Sequence, residues 1–160
     1  MNDEGTEAGN NKEITCTDYR PKLIEARERK GLTIHEAAEL MDYPYSGSGY
    51  YDIELCEGEL NQCYSLQEVK SICEKFDIHP RGLFCDQAFA RISLSEVIAK
   101  IKKHCAEKQL SIGEFEGIVG WQVESCLTDP AKALLDWNID CLMDVCREVG
   151  IDWRCVVADL

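Results

Sequence analysis

Two pairs of segments set the reading of this chain. GLTIHEAAELM (31–41) lies in register over QLSIGEFEGIV (109–119), and SLQEVKSICEKFDIHPRGLF (65–84) lies over NIDCLMDVCREVGIDWRCVV (138–157). The first offset is 78 residues, and Leu32/Leu110, Ile34/Ile112 and Glu36/Glu114 coincide. The second is 73 residues, and Cys73/Cys146, Ile78/Ile151 and Arg81/Arg154 coincide. Apolar positions match along both blocks. Self-similarity at a near-constant offset is the mark of a repeated structural unit.

Working outward, each block opens on a helix signal. Thr33 precedes Glu36, Ser65 precedes Glu68, Ser93 precedes Glu96 and Ser111 precedes Glu114. In this spacing each side chain can satisfy the other's free backbone N–H, so four helix starts are predicted. Each is followed by an apolar stripe of helical period. The stripes are Ile34, Ala37, Leu40 and Met41; Leu66, Val69, Ile72, Cys73 and Phe76; Leu94, Val97, Ile98 and Ile101; and Ile112, Phe115, Ile118 and Val119. A fifth runs through Ile139, Leu142, Val145, Cys146 and Val149 and stops at Gly150. Upstream, Pro21 suits a first helical turn and Gly31 a helix end. Tyr50 to Leu55 reads as either a short strand or a helix. No long alternating pattern competes, so the chain is expected to be all-α. Residues 1–17 read as a flexible tail, 18–90 as one helical unit and 91–160 as a second. Units this small are marginal alone and are expected to share a core across Ala88 to Leu94.

Composition narrows the function classes. The chain has 160 residues, 45% of them hydrophobic, enough to fill a core. Acidic residues number 30 and basic residues 17, a net charge of -13. Such a balance opposes a generally basic nucleic-acid surface and docking on anionic lipid. No run approaches a membrane span, and Met1 to Asn11 carries no secretory pattern. A soluble, cytoplasmic protein is the expectation. The ten cysteines include no C-x-x-C pair. Cys73, His79 and Cys85 are the nearest metal-like grouping, but they lack a fourth ligand, and small buried hydrophobes are the expected role of the thiols. No metal and no cofactor is expected. His35, His79 and His104 form no evident nucleophilic pair with a cysteine, and no phosphate-binding glycine loop is present. The chain is read as a non-enzyme.

LIEARERKGLTIHEAAELM and SLQEVKSICEKFDIHPRGLF together resemble the opening and closing helices of the Cro/C1-type (XRE-like) helix-turn-helix family. The resemblance covers roughly residues 20–85, and more faintly 97–157. It implies two tandem five-helix, lambda-repressor-like units, the second degenerate. In that family the third helix enters the DNA major groove. This chain departs from the family where that contact would occur. Between Lys30 and Lys70 it has no lysine or arginine, and it holds Glu36, Glu39, Asp42, Asp52, Glu54, Glu57, Glu59 and Glu68. A DNA reader needs cations for phosphate and donors for bases.

The same stretch is rich in tyrosine, serine and glycine, the composition of adaptable recognition surfaces. Tyr43, Tyr45, Tyr50, Tyr51, Asp52, Glu54, Glu57 and Glu59 are therefore the candidate partner-binding residues. Trp121 and Trp137 bracket the equivalent segment of the second unit and join them. The ordinary alternative is that some of these aromatics fill the core. Trp153, after the last stripe, is expected inside. The lysines at 100, 102, 103 and 108 read first as a solvated helical face. A basic protein partner is the expectation, with the chain acting as an immunity- or antitoxin-type antagonist that occludes a partner such as a toxin enzyme. The competing reading is a DNA-binding regulator of the same family. Internal duplication favours a monomeric pseudo-dimer.

Overall fold

All four capping boxes form. In the computed structural model, which describes residues 18–41 and 49–160, the side chains of Thr33, Ser65, Ser93 and Ser111 each accept from the N–H three residues on. Each matching glutamate accepts from the cap's own N–H. The described residues hold twelve helices and no strand. The first block contains α1 (Arg20–Arg29), α2 (Ile34–Leu40), α3 (Tyr50–Leu55), α4 (Glu59–Cys63), α5 (Leu66–Lys75) and α6 (Pro80–Phe84). The second contains α7 (Leu94–Lys108), α8 (Ile112–Val119), α9 (Glu124–Leu127), α10 (Lys132–Asp136), α11 (Ile139–Val149) and α12 (Trp153–Val157). Six short helices per block replace the five expected. The extra break comes at Gly58, whose φ of 80° turns the chain between α3 and α4. The doubtful stretch from Tyr50 to Leu55 is a helix.

The helix ends repeat as closely as the starts. Gly31 and Gln109, at the same register position, have φ of 71° and 56°. Asp77 and Gly150, also matched, have φ of 55° and 73°. Behind each the chain closes a Schellman motif. Leu32 N–H donates to the Arg27 carbonyl at 3.3 Å and Leu110 N–H to that of Cys105 at 2.9 Å. Ile78 N–H donates to Cys73 at 3.1 Å and Ile151 N–H to Cys146 at 2.8 Å. The matched apolar residues are thus the ones that follow each left-handed stop and fold back on the helix.

The blocks pack reciprocally. The α4 helix lies on α11, α10 on α5, and α6 on α12. Ser65 and Asn138, the same position in the two blocks, face each other in an antiparallel bridge. Leu66 N–H donates to the Trp137 carbonyl at 2.8 Å, and the Asn138 amide donates to the Gln62 carbonyl at 2.7 Å. One contiguous core runs through both blocks, from Leu23 and Phe84 to Trp153 and Val157. Sharing is wider than the linker, since it passes through α4 to α6 and their counterparts. Trp153 is inside as expected, stacked edge-on against Phe84 at 6.0 Å. No helix of the described residues is long and apolar enough to cross a membrane.

Gln109 and Asp77 hold a left-handed conformation that costs an L side chain about 1 kcal/mol relative to glycine. Gln109→Gly is expected to raise unfolding free energy in urea by about that amount, whereas Gly150→Ala should lower it by about 1 kcal/mol or more. The capping-box carboxyls of Glu36, Glu96 and Glu114 lie below the ordinary value of 4.5, first because a backbone N–H donates to each. A depressed folded value means their contribution is complete above pH 4.5 and is lost as pH falls through the folded value. Melting of Glu114→Ala should therefore differ from wild type at pH 7 and converge with it in acid.

Candidate functional site

The acidic, tyrosine-rich stretch divides into a buried side and an exposed side. In α3, Tyr50, Ile53 and Glu54 point inward, and Tyr51, Asp52 and Leu55 lie on the other side. The inward side meets α1, where Leu23, Ala26 and Arg27 are buried. Arg27 Nε donates to Glu54 Oε1 at 2.6 Å and Nη2 donates to Oε2 at 3.2 Å. Tyr50 hydroxyl donates to the same Oε1 at 2.5 Å, and Arg27 Nη1 donates to the Leu32 carbonyl at 2.5 Å. The Glu54 side chain is only 4% exposed and that of Arg27 10%. Burial, then the adjacent carboxylate, pushes the Tyr50 phenol far above its ordinary range, so it serves as a hydrogen-bond donor.

Tyr19 completes the clamp. Its hydroxyl donates to the Ile53 carbonyl at 2.7 Å and accepts from Leu60 N–H at 3.1 Å, joining the start of α1 to α3 and α4. Burial raises this phenol to about 12. Tyr64 is also buried, accepts from Gly49 N–H at 3.2 Å and is raised to about 12 by burial.

The candidate residues therefore separate. Tyr50 and Glu54 are internal, and the structure takes them out of any contact surface. Trp137 is 1% exposed, and its carbonyl receives the Leu66 N–H at the joint between the blocks. It is a core residue for the same reason: its position faces the other block. Trp121 is half-buried, and its indole N–H donates to Asp144 Oδ2 at 2.9 Å. It anchors the end of α8 to α11, in the other block from the tyrosines. Tyr43 and Tyr45 lie outside the described residues. Tyr51 and Glu57 remain exposed, while Asp52 and Glu59 are half-buried and accept from the Cys56 and Cys63 thiols at 3.9 Å and 3.6 Å.

What comes together is a smaller face than the sequence pattern suggested. Tyr51 is 42% exposed, and its hydroxyl meets His35 Nδ1 of α2 at 2.7 Å. His35 Nε2 lies 3.3 Å from Glu39. Leu55, one turn beyond Tyr51, is 68% exposed. Glu57 closes the edge, 3.9 Å from Arg20. Three of the acids in the stretch already have partners: Glu36 and Glu68 cap helices and stay anionic, and the buried Glu54 is neutralised by Arg27. The buried pair takes one of the eight carboxylates out of the surface, and the exposed Tyr51 and Leu55 stand among those that remain. Leu40 and Ile118, matched in register and expected on buried stripes, are 41% and 54% exposed instead. Ala37 with Met41, and Phe115 with Val119, are the buried pairs of those helices.

The remaining candidate groups serve the fold. Burial pushes the Cys73 and Cys146 thiols up to about 12 and raises that of Cys141, so they are neutral core residues. His79 Nδ1 accepts the Arg81 N–H at the start of α6. Among the described residues no three His, Cys, Asp or Glu side chains converge to hold a metal ion. The chain matches no protein-family model, and no curated protein or solved structure matches it significantly.

Removing one member of the buried pair leaves the other charge unpaired, which costs about 3–5 kcal/mol. Glu54→Ala and Arg27→Ala are each expected to lower stability by that order in urea unfolding. Arg27→Met with Glu54→Leu should lose much less, because both charges leave together.

Proposed function

We propose that this chain is a protein-binding antagonist, of immunity or antitoxin type, that covers a basic partner with the exposed face of α2 and α3. The observation that carries the reading is the chemistry of that face. The exposed Tyr51 reaches Glu39 through His35, the half-buried Asp52 follows it, and Glu57 lies two residues beyond the exposed Leu55; the sequence from Gly31 to Val69 contains no lysine or arginine, and Arg20 of α1 reaches only the edge at Glu57. Apolar and aromatic side chains supply contact area, and the carboxylates steer and select a cationic partner. The same absence of cations argues against phosphate contact in the helix-turn-helix position.

Support for two tandem helix-turn-helix-like units comes from the repeated element order, the matched caps and the matched left-handed stops. On this reading the ancestral DNA-facing position has become a protein-facing one. A basic protein, such as a toxin enzyme acting on nucleic acid, fits because its substrate-binding surface is itself cationic.

The test compares wild type with Asp52→Lys/Glu57→Lys as baits in nuclease-treated lysate. Both positions lie off the buried pair, and because Asp52 is the acid in the first turn of α3 the variant should lose about 1 kcal/mol, which urea unfolding checks before the baits are compared. A basic protein retained by wild type, lost by the variant and rebound as a purified pair is the expected result. Equal retention by both baits would remove the assignment. A discrete DNA fragment held by untreated wild type would restore the regulator reading.

A further inference from the structure

The second charged surface lies on the long helix α7, in the other block. A groove of about 310 Å³ runs beside this helix, lined by Ile92, Glu96, Ala99, Lys100, Lys103 and Ile151. Its floor is apolar and fixed. Ile92 N–H donates to the Cys155 carbonyl at 3.1 Å, and Ile151 N–H is the closing bond of the α11 Schellman motif at 2.8 Å. Both isoleucines are half-buried against the core, so each still presents apolar surface to solvent. Ala99 keeps the wall low.

The rim is cationic. Lys100 and Lys103 are three residues apart on one helix, which puts them side by side. Both are exposed. Lys103 meets Glu107 at 3.6 Å, an exposed pair that water screens, and Lys100 makes no ion pair among the described residues. Glu96 is also on the rim, but its carboxylate is turned to the helix start. Its Oε2 accepts from Ser93 N–H at 2.7 Å and from the Ser93 hydroxyl at 2.9 Å. In a chain of net charge -13 the groove's own side chains still sum to +1, two lysines against the ionised Glu96, over an apolar floor.

We propose that the α7 groove binds an acidic peptide segment carrying a large apolar side chain. The apolar side chain covers Ile92 and Ile151, and the flanking carboxylates meet Lys100 and Lys103. A nucleic-acid backbone would satisfy the lysines and leave the isoleucines facing water. A basic peptide would be repelled. Only the acidic, apolar class answers both halves of the groove. This site is independent of the α2–α3 face. Together the two give the antagonist a second docking surface of opposite charge, in the other block.

The experiment is fluorescence anisotropy with the full chain and a labelled peptide in which Asp and Glu flank a central Leu-Phe. The comparison probes are the same peptide with Ser-Ser at the centre and a single-stranded oligonucleotide of equal charge. Wild type is expected to bind the Leu-Phe peptide best. Lys100→Glu/Lys103→Glu should weaken it by about tenfold or more, and Ala99→Glu, which fills the wall with an opposing charge, should do likewise. Lys102→Glu/Lys108→Glu makes the same charge change outside the groove and should alter binding by less than about twofold. Circular dichroism checks that these exposed-face variants remain helical. No binding of the Leu-Phe peptide would overturn the proposal. So would equal binding of the Ser-Ser peptide or the oligonucleotide, or equal weakening by the two lysine pairs, since each marks a general polyanion attraction.

Discussion

The meeting of Ser65 with Asn138 is the constraint on which the rest of the arrangement depends. Both residues cap the penultimate helix of their block, and each is held at the other's backbone. The bridge sets α4 against α11 and α10 against α5 in one step. Leu66, Ile139, Trp137 and Leu60 then lose their access to water together. A block of this size buries too little surface to be secure alone, so the apolar face each presents is completed by its counterpart. The contact pairs like positions with like, as in a symmetric dimer whose two protomers share one chain.

The buried Arg27–Glu54 pair has a second consequence besides holding α1 to α3. It decides how much of the acidic stretch is available outside. Glu54 sits at a core position one turn from Tyr50, and its charge is balanced by Arg27 at a core position of α1. Two further acids serve as helix caps. The outward face holds Glu39, Glu57, Tyr51 and Leu55 with the half-buried Asp52, which is a mixed apolar and anionic surface rather than a purely anionic one. Such a mixture suits protein contact, where buried apolar area supplies affinity and the charged rim supplies selectivity.

Charge is separated along the chain. The α2–α4 stretch holds no lysine or arginine, while the exposed side of α7 carries Lys100, Lys102, Lys103 and Lys108. Since α1 and α7 open their blocks, the two blocks share an order of helices and differ in surface charge. Matched exposure of Leu40 and Ile118 marks a position that neither core absorbs.

Local rules sufficed for what was legible in the amino acids alone. Thr33, Ser65, Ser93 and Ser111 with their glutamates announced four helix starts, and Gly31 and Gly150 announced two stops, because caps depend on residues within one turn. The register between the blocks was readable for the same reason. Tertiary structure decided which acids and aromatics faced outward. Glu54 and Asp52 are both carboxylates in one short helix, and only the Arg27 side chain packed across from them separates a core pair from a surface charge. A pattern was present in Tyr50, Ile53 and Glu54, and in Leu23, Ala26 and Arg27, that put both charges on apolar faces. Trp137 was hidden by a surface that comes from residues more than 70 positions away in the chain. Burial is a property of what lies opposite, and that is set by the docking of whole helices rather than by neighbours in sequence.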